Sequence, residues 1–170
     1  MDYLIKMHQK YPFTDNDILK FSNCNLILYE DLKDYSDIDE VLGPENKCIL
    51  LYQQEKNYGH WVCLTRARNG DIEFFDSYGR KPDYQFKYST YNKNNGPKYL
   101  SILLINCPYR VIYNPFRLQS KRVADMSTCG RWVSLRLHMS DIPVIDFAKM
   151  FLNQKFPPDW YATALTMFIA

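Results

Sequence analysis

The Asn69-Gly70 dipeptide constrains the fold of this chain more than any other feature of its sequence. It separates two apolar runs, 60–67 (HWVCLTRA) and 71–76 (DIEFFD), and this arrangement is the strongest short-range signal for a β-hairpin. Since the strands of a hairpin run antiparallel, the first residue of one strand lies near the last residue of the other. We therefore expect His60 and Asp76 to lie within a few residues of each other across the ladder.

The rest of the chain is predicted to add strands and helices to this hairpin within a single domain, 1–170. Short apolar runs predict strands at 25–29, 47–53 and 110–116. Apolar periodicity and capping residues predict helices at 14–23, 36–42 (capped by Ser36), 98–106, 144–154 and 160–169. Segments 1–13, 54–59 and 84–98 are predicted to be irregular. Along the first hairpin strand, Trp61, Cys63 and Thr65 are expected on one face and His60, Val62 and Leu64 on the other.

The segment 127–139 (STCGRWVSLRLHM) places a cysteine where a helix is predicted to begin. Its apolar spacing fits strand or helix, but Ser127 or Thr128 as a cap favours a helix with Cys129 in its first turn. The positive end of the helix dipole favours a thiolate there, and Gly130 permits close approach of another backbone. A buried structural cysteine explains this segment equally well when it is taken alone.

The remaining cysteines and the composition narrow the class of protein. Of five cysteines, the four outside this segment lie in apolar surroundings: Cys24, Cys48, Cys63 and Cys107. We interpret these four as buried hydrophobic residues of a protein in a reducing compartment. His60 and Cys63 are the only His/Cys pair at ligand-like spacing, which is too few for a zinc site. A net charge of +2 does not by itself predict nucleic-acid binding, and neither a membrane span nor a signal peptide is expected.

A thiolate nucleophile needs a base, a group that orients the base, and donors for the oxyanion. His60 is the candidate base, because His138 would lie about 13 Å from Cys129 along the same helix and His8 falls in a segment predicted to be irregular. Asp76 is the candidate orienting group. A lone histidine at a strand end is more often structural, but the hairpin geometry favours the functional interpretation.

Four motifs follow one another in the order His, Asp, Gln, Cys: GHWV (59–62), FFDSYG (74–79), Leu118-Gln119 and STCG (127–130). In this order and with these flanks the chain resembles the adenovirus-type cysteine proteases, which share a clan with the SUMO-specific proteases. The upstream run LYEDL…LG…ILLYQ is most similar to the maturation proteases of Mavirus-type virophages and of Polinton (Maverick) elements. The resemblance covers residues 14–140.

The resemblance implies an α+β fold, in which a twisted, mostly antiparallel sheet carries His60 and Asp76 on one side of a cleft and the Cys129 helix lies on the other. It implies that Cys129 is the nucleophile, that His60 is the general base and then the acid for the leaving amine, and that Asp76 orients His60. It further implies that Gln119 donates its side-chain amide to the oxyanion, with the Cys129 backbone amide as second donor. Gln119 precedes Cys129 by 10 residues, a longer gap than the family pattern, and the insertion 120–126 is expected to bulge outward.

Three residues are expected to bind substrate. The resemblance implies that Trp61 flanks the imidazole, although strand alternation points it to the opposite face. Trp61 and Trp132 would form the aromatic walls of a narrow cleft beside Gly130. Such a cleft suits small substrate side chains, in keeping with the Gly-Gly type of cleavage site implied by the resemblance.

The implied activity is cleavage of viral capsid precursor proteins during virion maturation, in the virion and the cytoplasmic virus factory. A monomer is expected that needs no metal or cofactor and has no membrane partner. The adenovirus-type enzymes are helped by DNA and by a viral peptide, which makes either activator an expectation here. Four basic residues would contact phosphates or an acidic tail, and a solvated basic face explains them equally well: Arg110, Arg117, Lys121 and Arg122.

Three alternatives stay open on the sequence alone. A protease that deconjugates a ubiquitin-like protein would use the same catalytic residues, and an acyltransferase could be built on the same scaffold. A catalytically inactive capsid or binding protein could also retain the fold. A thiol reagent that labels Cys129 no faster than the other cysteines would favour the inactive protein.

Overall fold

The computed structural model describes residues 1–55, 58–88, 96–120 and 127–169. Its helices are α1 (Asp2–Gln9), α2 (Asp15–Leu19), α3 (Ile38–Leu42), α4 (Tyr99–Asn106), α5 (Cys129–His138), α6 (Val144–Lys149) and α7 (Pro158–Ile169). Its strands are β1 (Asn25–Leu28), β2 (Lys47–Glu55), β3 (Tyr58–Arg66), β4 (Ile72–Phe75) and β5 (Val111–Tyr113), and two 3₁₀ helices cover Tyr29–Asp34 and Tyr84–Tyr88. Within these ranges no helix has the length and apolar character that a membrane crossing requires.

The strands form one sheet in chain order, with the predicted hairpin β3–β4 inside it. The long central pairings β2–β3 and β3–β4 are antiparallel, while β1 and β5 join the two edges in parallel. A parallel neighbour requires a crossover, which one 3₁₀ helix and α3 supply before β2, and the other 3₁₀ helix and α4 supply before β5. The α+β class with a mostly antiparallel sheet is confirmed. The parallel edges were not predicted, because a short apolar run does not encode the direction of its neighbour.

The hairpin has the predicted register and the predicted alternation. Cys63 pairs with Phe75 and Arg66 with Ile72, and the turn holds Gly70 at φ +90°, a conformation that suits glycine. Val62, Leu64 and Phe74 pack with the crossover helices α3 and α4, while Cys63 and Phe75 pack with α2, α5, α6 and α7. The sheet therefore lies between two helical layers, and α5 crosses it on the Cys63 side.

Two helix predictions were wrong in detail. Residues 1–13 were predicted to be irregular, yet α1 occupies most of them. Its inner face is narrow, with Ile5 the buried residue, so the apolar periodicity is weak. The predicted cap Ser36 is displaced by Asp37, whose carboxylate accepts the Glu40 backbone N–H at 2.8 Å. The side chain of Glu40 then accepts from the Ser36 backbone N–H at 2.8 Å, which completes the start of α3.

The predicted loop 54–59 was also wrong in part, because β2 continues to Glu55 and β3 begins at Tyr58. Backbone pairing extends past the apolar core to Gln53 and Gly59, where side-chain polarity no longer reports the strand. Part of the predicted loop 84–98 is the second 3₁₀ helix, and residues 89–95 lie outside the described ranges. β5, α2 and α6 occur where predicted but are shorter than the apolar runs indicated.

A buried ion pair fastens α5 to the hairpin. The Arg136 guanidinium donates to the Glu73 carboxylate at 2.5 Å, and both side chains are almost fully buried. The same guanidinium donates to the Thr65 hydroxyl at 3.2 Å, while Glu73 also accepts the Val144 backbone N–H at 3.1 Å. Strands β3 and β4 and helices α5 and α6 therefore share one polar network in the apolar core.

Glu73→Ala is expected to destabilise the fold by about 3–5 kcal/mol, because it leaves Arg136 charged and unpaired in the core. Chemical denaturation measures this loss. The double variant Glu73→Leu/Arg136→Met should be less destabilised than Glu73→Ala, since it removes both charges together. Arg68→Ala is the control, because its ion pair with Asp141 is exposed to solvent. Equal losses in Glu73→Ala and Arg68→Ala would contradict the structural role of the buried pair.

Candidate active site

The open end of the hairpin brings His60 and Asp76 into direct contact. His60 Nε2 lies 2.8 Å from Asp76 Oδ1, and the two side chains are 4% and 2% exposed. Asp76 Oδ1 also accepts the Tyr78 backbone N–H at 2.8 Å, and the Tyr78 ring stacks on the imidazole with centroids 4.9 Å apart. The carboxylate accepts from Nε2–H, so it selects the tautomer and orientation of the ring.

Cys129 begins α5, and its sulfur lies against the His60 side chain, close enough for each group to shift the pKa of the other. Since Nε2 is bonded to Asp76, the imidazole presents Nδ1 to the sulfur. The backbone N–H groups of Trp61 and Gly130 also help to lower the pKa of the Cys129 thiol. The structure thus brings three of the predicted catalytic residues together, in the order carboxylate, imidazole, thiol.

The charges of the Cys129 thiolate and the His60 imidazolium stabilise each other and so oppose the energetic cost of burying either one. Burial alone would lower the pKa of His60, yet the charge and hydrogen bond of Asp76 and the contact with Cys129 raise it from 6.5 to about 10. Burial alone would raise the pKa of Cys129, yet the hydrogen bond and charge of His60 and the two backbone donors lower it below its ordinary value. The site therefore favours a thiolate–imidazolium pair, the reactive form of a nucleophilic cysteine.

The pKa values of three other cysteines are raised, whereas that of Cys129 is lowered. None of the five cysteines, all of which the structure describes, forms a disulfide bond. Burial raises the pKa of Cys24 to about 11 and raises the pKa of Cys48 and Cys63 as well. These three remain protonated thiols at neutral pH, which fits their predicted role as small hydrophobic core residues.

No side chain among the described residues caps α5. Thr128 occupies the N-cap position, but its hydroxyl donates to Asp159 at 2.6 Å instead of accepting from the first turn. The N-terminal N–H groups of a helix without such a cap are free to bind an anion. One of them, at Gly130, is among the groups that lower the pKa of Cys129.

Gln119 is buried beside the turn that follows β4. Its side-chain oxygen accepts the Ser77 hydroxyl at 2.7 Å, which leaves the amide N–H₂ as the donating end of the side chain. The backbone N–H groups of Leu118 and Gln119 both donate to the Ser77 carbonyl, at 2.8 and 2.9 Å. Ser77 directly follows Asp76, so one turn fixes both the orienting carboxylate and the predicted oxyanion donor.

Glycine is required in this turn. Gly79 has φ +68°, and a Cβ there would lie 2.6 Å from the Phe116 backbone. The close approach holds the turn against the segment that leads to Gln119. It gives a physical reason for the glycine that ends the FFDSYG motif.

The sequence offers Asn114 only as a second choice for the oxyanion donor, along with Ser120, and the structure gives it a structural role in the site. Its amide nitrogen donates to the carbonyls of Asp76, at 3.1 Å, and Phe116, at 2.9 Å, while its oxygen accepts the Phe116 N–H at 2.9 Å. Because the amide is engaged in holding backbone, Asn114 positions the Asp76 turn. The dipeptide Asn114-Pro115 at a strand end was its only sequence signal, and it indicates a turn without showing what the turn supports.

A groove of about 540 Å³ opens at Cys129. Trp61 is half-buried in its wall and follows the strand alternation, on the face of β3 opposite to His60. The ring stacked on the imidazole is that of Tyr78, and the implied flanking role of Trp61 stays a prediction. Leu51 pairs with Trp61 and Leu28 pairs with Leu51, which extends an apolar floor across three strands.

The other two predicted substrate-binding residues lie in the core instead. Trp132 is fully buried, and its ring packs edge-on against Phe151, so it cannot wall a cleft. The error has a simple cause, since Trp132 lies on the inner side of α5, which sequence periodicity locates but does not orient. Gly130 packs against Phe13, and a Cβ there would lie 2.7 Å from the Phe13 side chain. Gly130 therefore permits packing on α5, and Phe13 in turn lines the groove.

Within the described ranges no three His, Cys, Asp or Glu side chains cluster as metal ligands. Of the predicted basic group, Arg110 is paired with Asp71 at 2.9 Å, and Lys121 and Arg122 lie outside the described ranges. The predicted outward bulge covers residues 120–126, and all of these except Ser120 lie outside the described ranges.

No protein-family model matches the chain. The chain is 39% identical over 173 residues to uncharacterized protein V9 of Sputnik virophage, which covers 96% of the chain and 98% of that protein. Among solved structures, the central domain of the uncharacterized Lpg1148 protein from Legionella pneumophila is similar at TM-score 0.39 and 16% identity, over 94% of the chain and 99% of that domain. SUMO protease Ulp1, with its catalytic cysteine oxidized to a sulfonic acid, is similar at TM-score 0.36 and 15% identity, over 99% of the chain and 78% of that protein. The resemblance of the sequence motifs to adenovirus-type and Mavirus-type proteases stays a prediction.

Iodoacetamide is expected to alkylate Cys129 first, at a pH where Cys24, Cys48 and Cys63 do not react. The physical reason is the thiolate that His60 stabilises at Cys129 alone among these four. Peptide mapping by mass spectrometry against pH measures the rates. In His60→Ala the midpoint for Cys129 should move to higher pH, because the positive charge is lost. Equal rates at all four cysteines would contradict the ion pair.

Asp76→Asn is expected to lower the pH at which His60 loses its proton, because Asp76 raises the pKa of His60 to about 10 in the native protein. The asparagine oxygen still accepts from Nε2–H, so the orientation of the ring is largely kept while the charge is lost. Titration of the imidazole by NMR measures the shift directly. An unchanged His60 titration would contradict the electrostatic role of Asp76.

Proposed function

The chain belongs to the family of Sputnik virophage protein V9, and from this premise and the geometry of the site we propose that it is a cysteine endopeptidase that cleaves viral capsid precursor proteins during virion maturation. The observation that carries the proposal is the buried His60, bonded to the Asp76 carboxylate on one side and placed against the Cys129 sulfur on the other. The groove beside Cys129 is open and elongated across three strands, which suits an extended peptide.

The proposed reaction follows from the charges of the pair. The Cys129 thiolate attacks the scissile carbonyl carbon, and the carbonyl oxygen becomes an oxyanion. His60, protonated at Nδ1, gives that proton to the leaving amine as the C–N bond breaks, which leaves a thioester and a neutral imidazole. Nδ1 then takes a proton from water, whose oxygen attacks the thioester, and the acid product leaves as the thiolate–imidazolium pair is restored.

Two donors would stabilise the oxyanion in both steps. The Cys129 backbone N–H lies at the start of α5, where the helix dipole favours negative charge. The amide N–H₂ of Gln119 is the second donor, held by the bond between its oxygen and Ser77. A preorganised donor of this kind is worth about 3–4 kcal/mol in the transition state.

The substrate class rests on the virophage relative and on the motif order, and the site residues would serve other acyl chemistry equally. Cleavage of a ubiquitin-like fusion is therefore the competing outcome. The proposal places the protein in the virion and the virus factory as a monomer. A DNA or peptide activator remains part of the proposal.

The deciding experiment incubates the purified chain with the capsid protein encoded by the same virus, and intact mass locates the products. Cleavage is expected with the native protein and should be absent with Cys129→Ala, while Cys63→Ala, in the core, should cleave normally once folded. A parallel reaction holds a ubiquitin-like fusion. Cleavage of the fusion but not of the capsid protein would reverse the substrate assignment, and cleavage by Cys129→Ala would sink the proposal.

Gln119→Ala is expected to lower turnover by about 100- to 1,000-fold, the loss typical of one oxyanion donor. The Michaelis constant should change little, because the bond forms mainly in the transition state. Gln119→Glu is a matched variant that keeps an acceptor for Ser77 but removes the donor, so it should be at least as impaired. Alkylation of Cys129 needs no oxyanion donor and should stay near the native rate in both variants. Native turnover in both would remove Gln119 from the site.

A further inference from the structure

A buried carboxylate on α7 connects the two segments that carry the proposed nucleophile and oxyanion donor. Asp159 is fully buried. Its Oδ1 accepts the Thr128 hydroxyl at 2.6 Å and the indole N–H of Trp132 at 2.8 Å. Its Oδ2 accepts the Ser120 backbone N–H at 2.8 Å. All three donors belong to other parts of the chain, so the carboxylate does more than start its own helix.

Two of the residues that donate to the Asp159 carboxylate are sequence neighbours of proposed catalytic residues. Thr128 directly precedes Cys129, and Ser120 directly follows Gln119. We propose that Asp159 is a positioning residue that fixes Gln119 relative to Cys129, so that the amide of one meets the oxyanion formed at the other. This inference rests on the proposed peptidase function and adds to it a residue that touches neither substrate nor thiol.

A carboxylate suits this position for a chemical reason. An ionised carboxylate only accepts hydrogen bonds, and hydroxyl, indole N–H and backbone N–H can all donate to it. An amide at position 159 could keep the two bonds to Oδ1, but its nitrogen would face the Ser120 N–H, another donor. Asp159→Asn therefore releases the Ser120 side of the bridge and retains the Thr128 side.

The Thr128 bond also matters for the nucleophile. A threonine at the N-cap normally accepts an N–H of the first turn through its side chain. Asp159 takes the Thr128 hydroxyl instead, and the backbone N–H of Gly130 in the first turn is among the groups that lower the pKa of Cys129. The carboxylate thus keeps the start of α5 open to negative charge while it holds the Gln119 segment in place.

The test compares Asp159→Asn with a matched control, Thr163→Val. The Thr163 hydroxyl donates to the Asp159 backbone carbonyl at 2.8 Å and is fully buried, so its loss perturbs α7 without touching the carboxylate. Asp159→Asn is expected to lower kcat by about 10- to 100-fold, as misplacement of a catalytic group does, with KM changed less than about twofold. Thr163→Val should lose thermal stability but keep its kcat.

Two further measurements exclude a merely structural role. Alkylation of Cys129 should stay within about threefold of the native rate in Asp159→Asn, since that reaction needs no oxyanion donor. In a Gln119→Ala background, Asp159→Asn should cause no further loss of kcat, because it acts through the missing amide. Ser120→Pro deletes the same hydrogen bond from the donor side and should lower kcat at least as far, because proline also restricts the backbone of Gln119 before it. An unchanged kcat in this variant would contradict the inference even if Asp159→Asn does not fold.

The outcomes separate this inference from the function on which it rests. An unchanged kcat in folded Asp159→Asn or Ser120→Pro would overturn it, as would equal losses in the native and Gln119→Ala backgrounds. An equal kcat loss in Thr163→Val would also overturn it, since the effect would then belong to α7 in general. If the native protein cleaves nothing, or Cys129→Ala still cleaves, the peptidase function itself fails.

Discussion

The buried ion pair between Arg136 and Glu73 is the interaction on which the remaining geometry depends. A buried charge is costly unless an opposite charge lies beside it, so a placement of α5 that brings Arg136 to Glu73 is favoured over one that leaves either charge alone. Arg136 lies seven residues after Cys129 on the same helix, and Glu73 lies three residues before Asp76 on β4. The contact between Arg136 and Glu73 therefore helps to position the start of α5, with Cys129, beside the open end of the hairpin, with His60 and Asp76.

The site is assembled from a sheet half and a helix half. The sheet half holds His60 and Asp76, whose positions follow from the register of one hairpin. The helix half holds Cys129, whose position follows from the packing of α5. Gln119 lies on the segment between them and is held to the sheet half by Ser77 and to α7 through its neighbour Ser120. The placement of Gln119, the proposed oxyanion donor, thus depends on hydrogen bonds to the sheet half and to α7.

The contact between the sheet half and the helix half also explains why His60 and Cys129 favour their charged forms. Burial opposes an isolated thiolate and an isolated imidazolium, so neither charge would exist at the site alone. Together, with Asp76 behind the imidazole and backbone N–H groups around the sulfur, the charged forms are favoured. The uncapped start of α5 contributes to this balance, and it is uncapped because Thr128 bonds elsewhere.

The sequence by itself determined the features that depend on short stretches of chain. The hairpin, its alternation, helix α2, the helix that begins at Cys129 and the proximity of His60 to Asp76 all follow from turn residues and periodicity. The direction of the edge strands, the buried position of Trp132 and the roles of Asn114, Arg136 and Asp159 were decided only by tertiary structure. The partners of these residues lie far away in sequence, as with Asp159 and Thr128, 31 residues apart. A local sequence pattern shows which face of a helix or strand is apolar. Only the packing of the whole chain decides which helix face lies against which strand face, and this packing places the polar groups of the site.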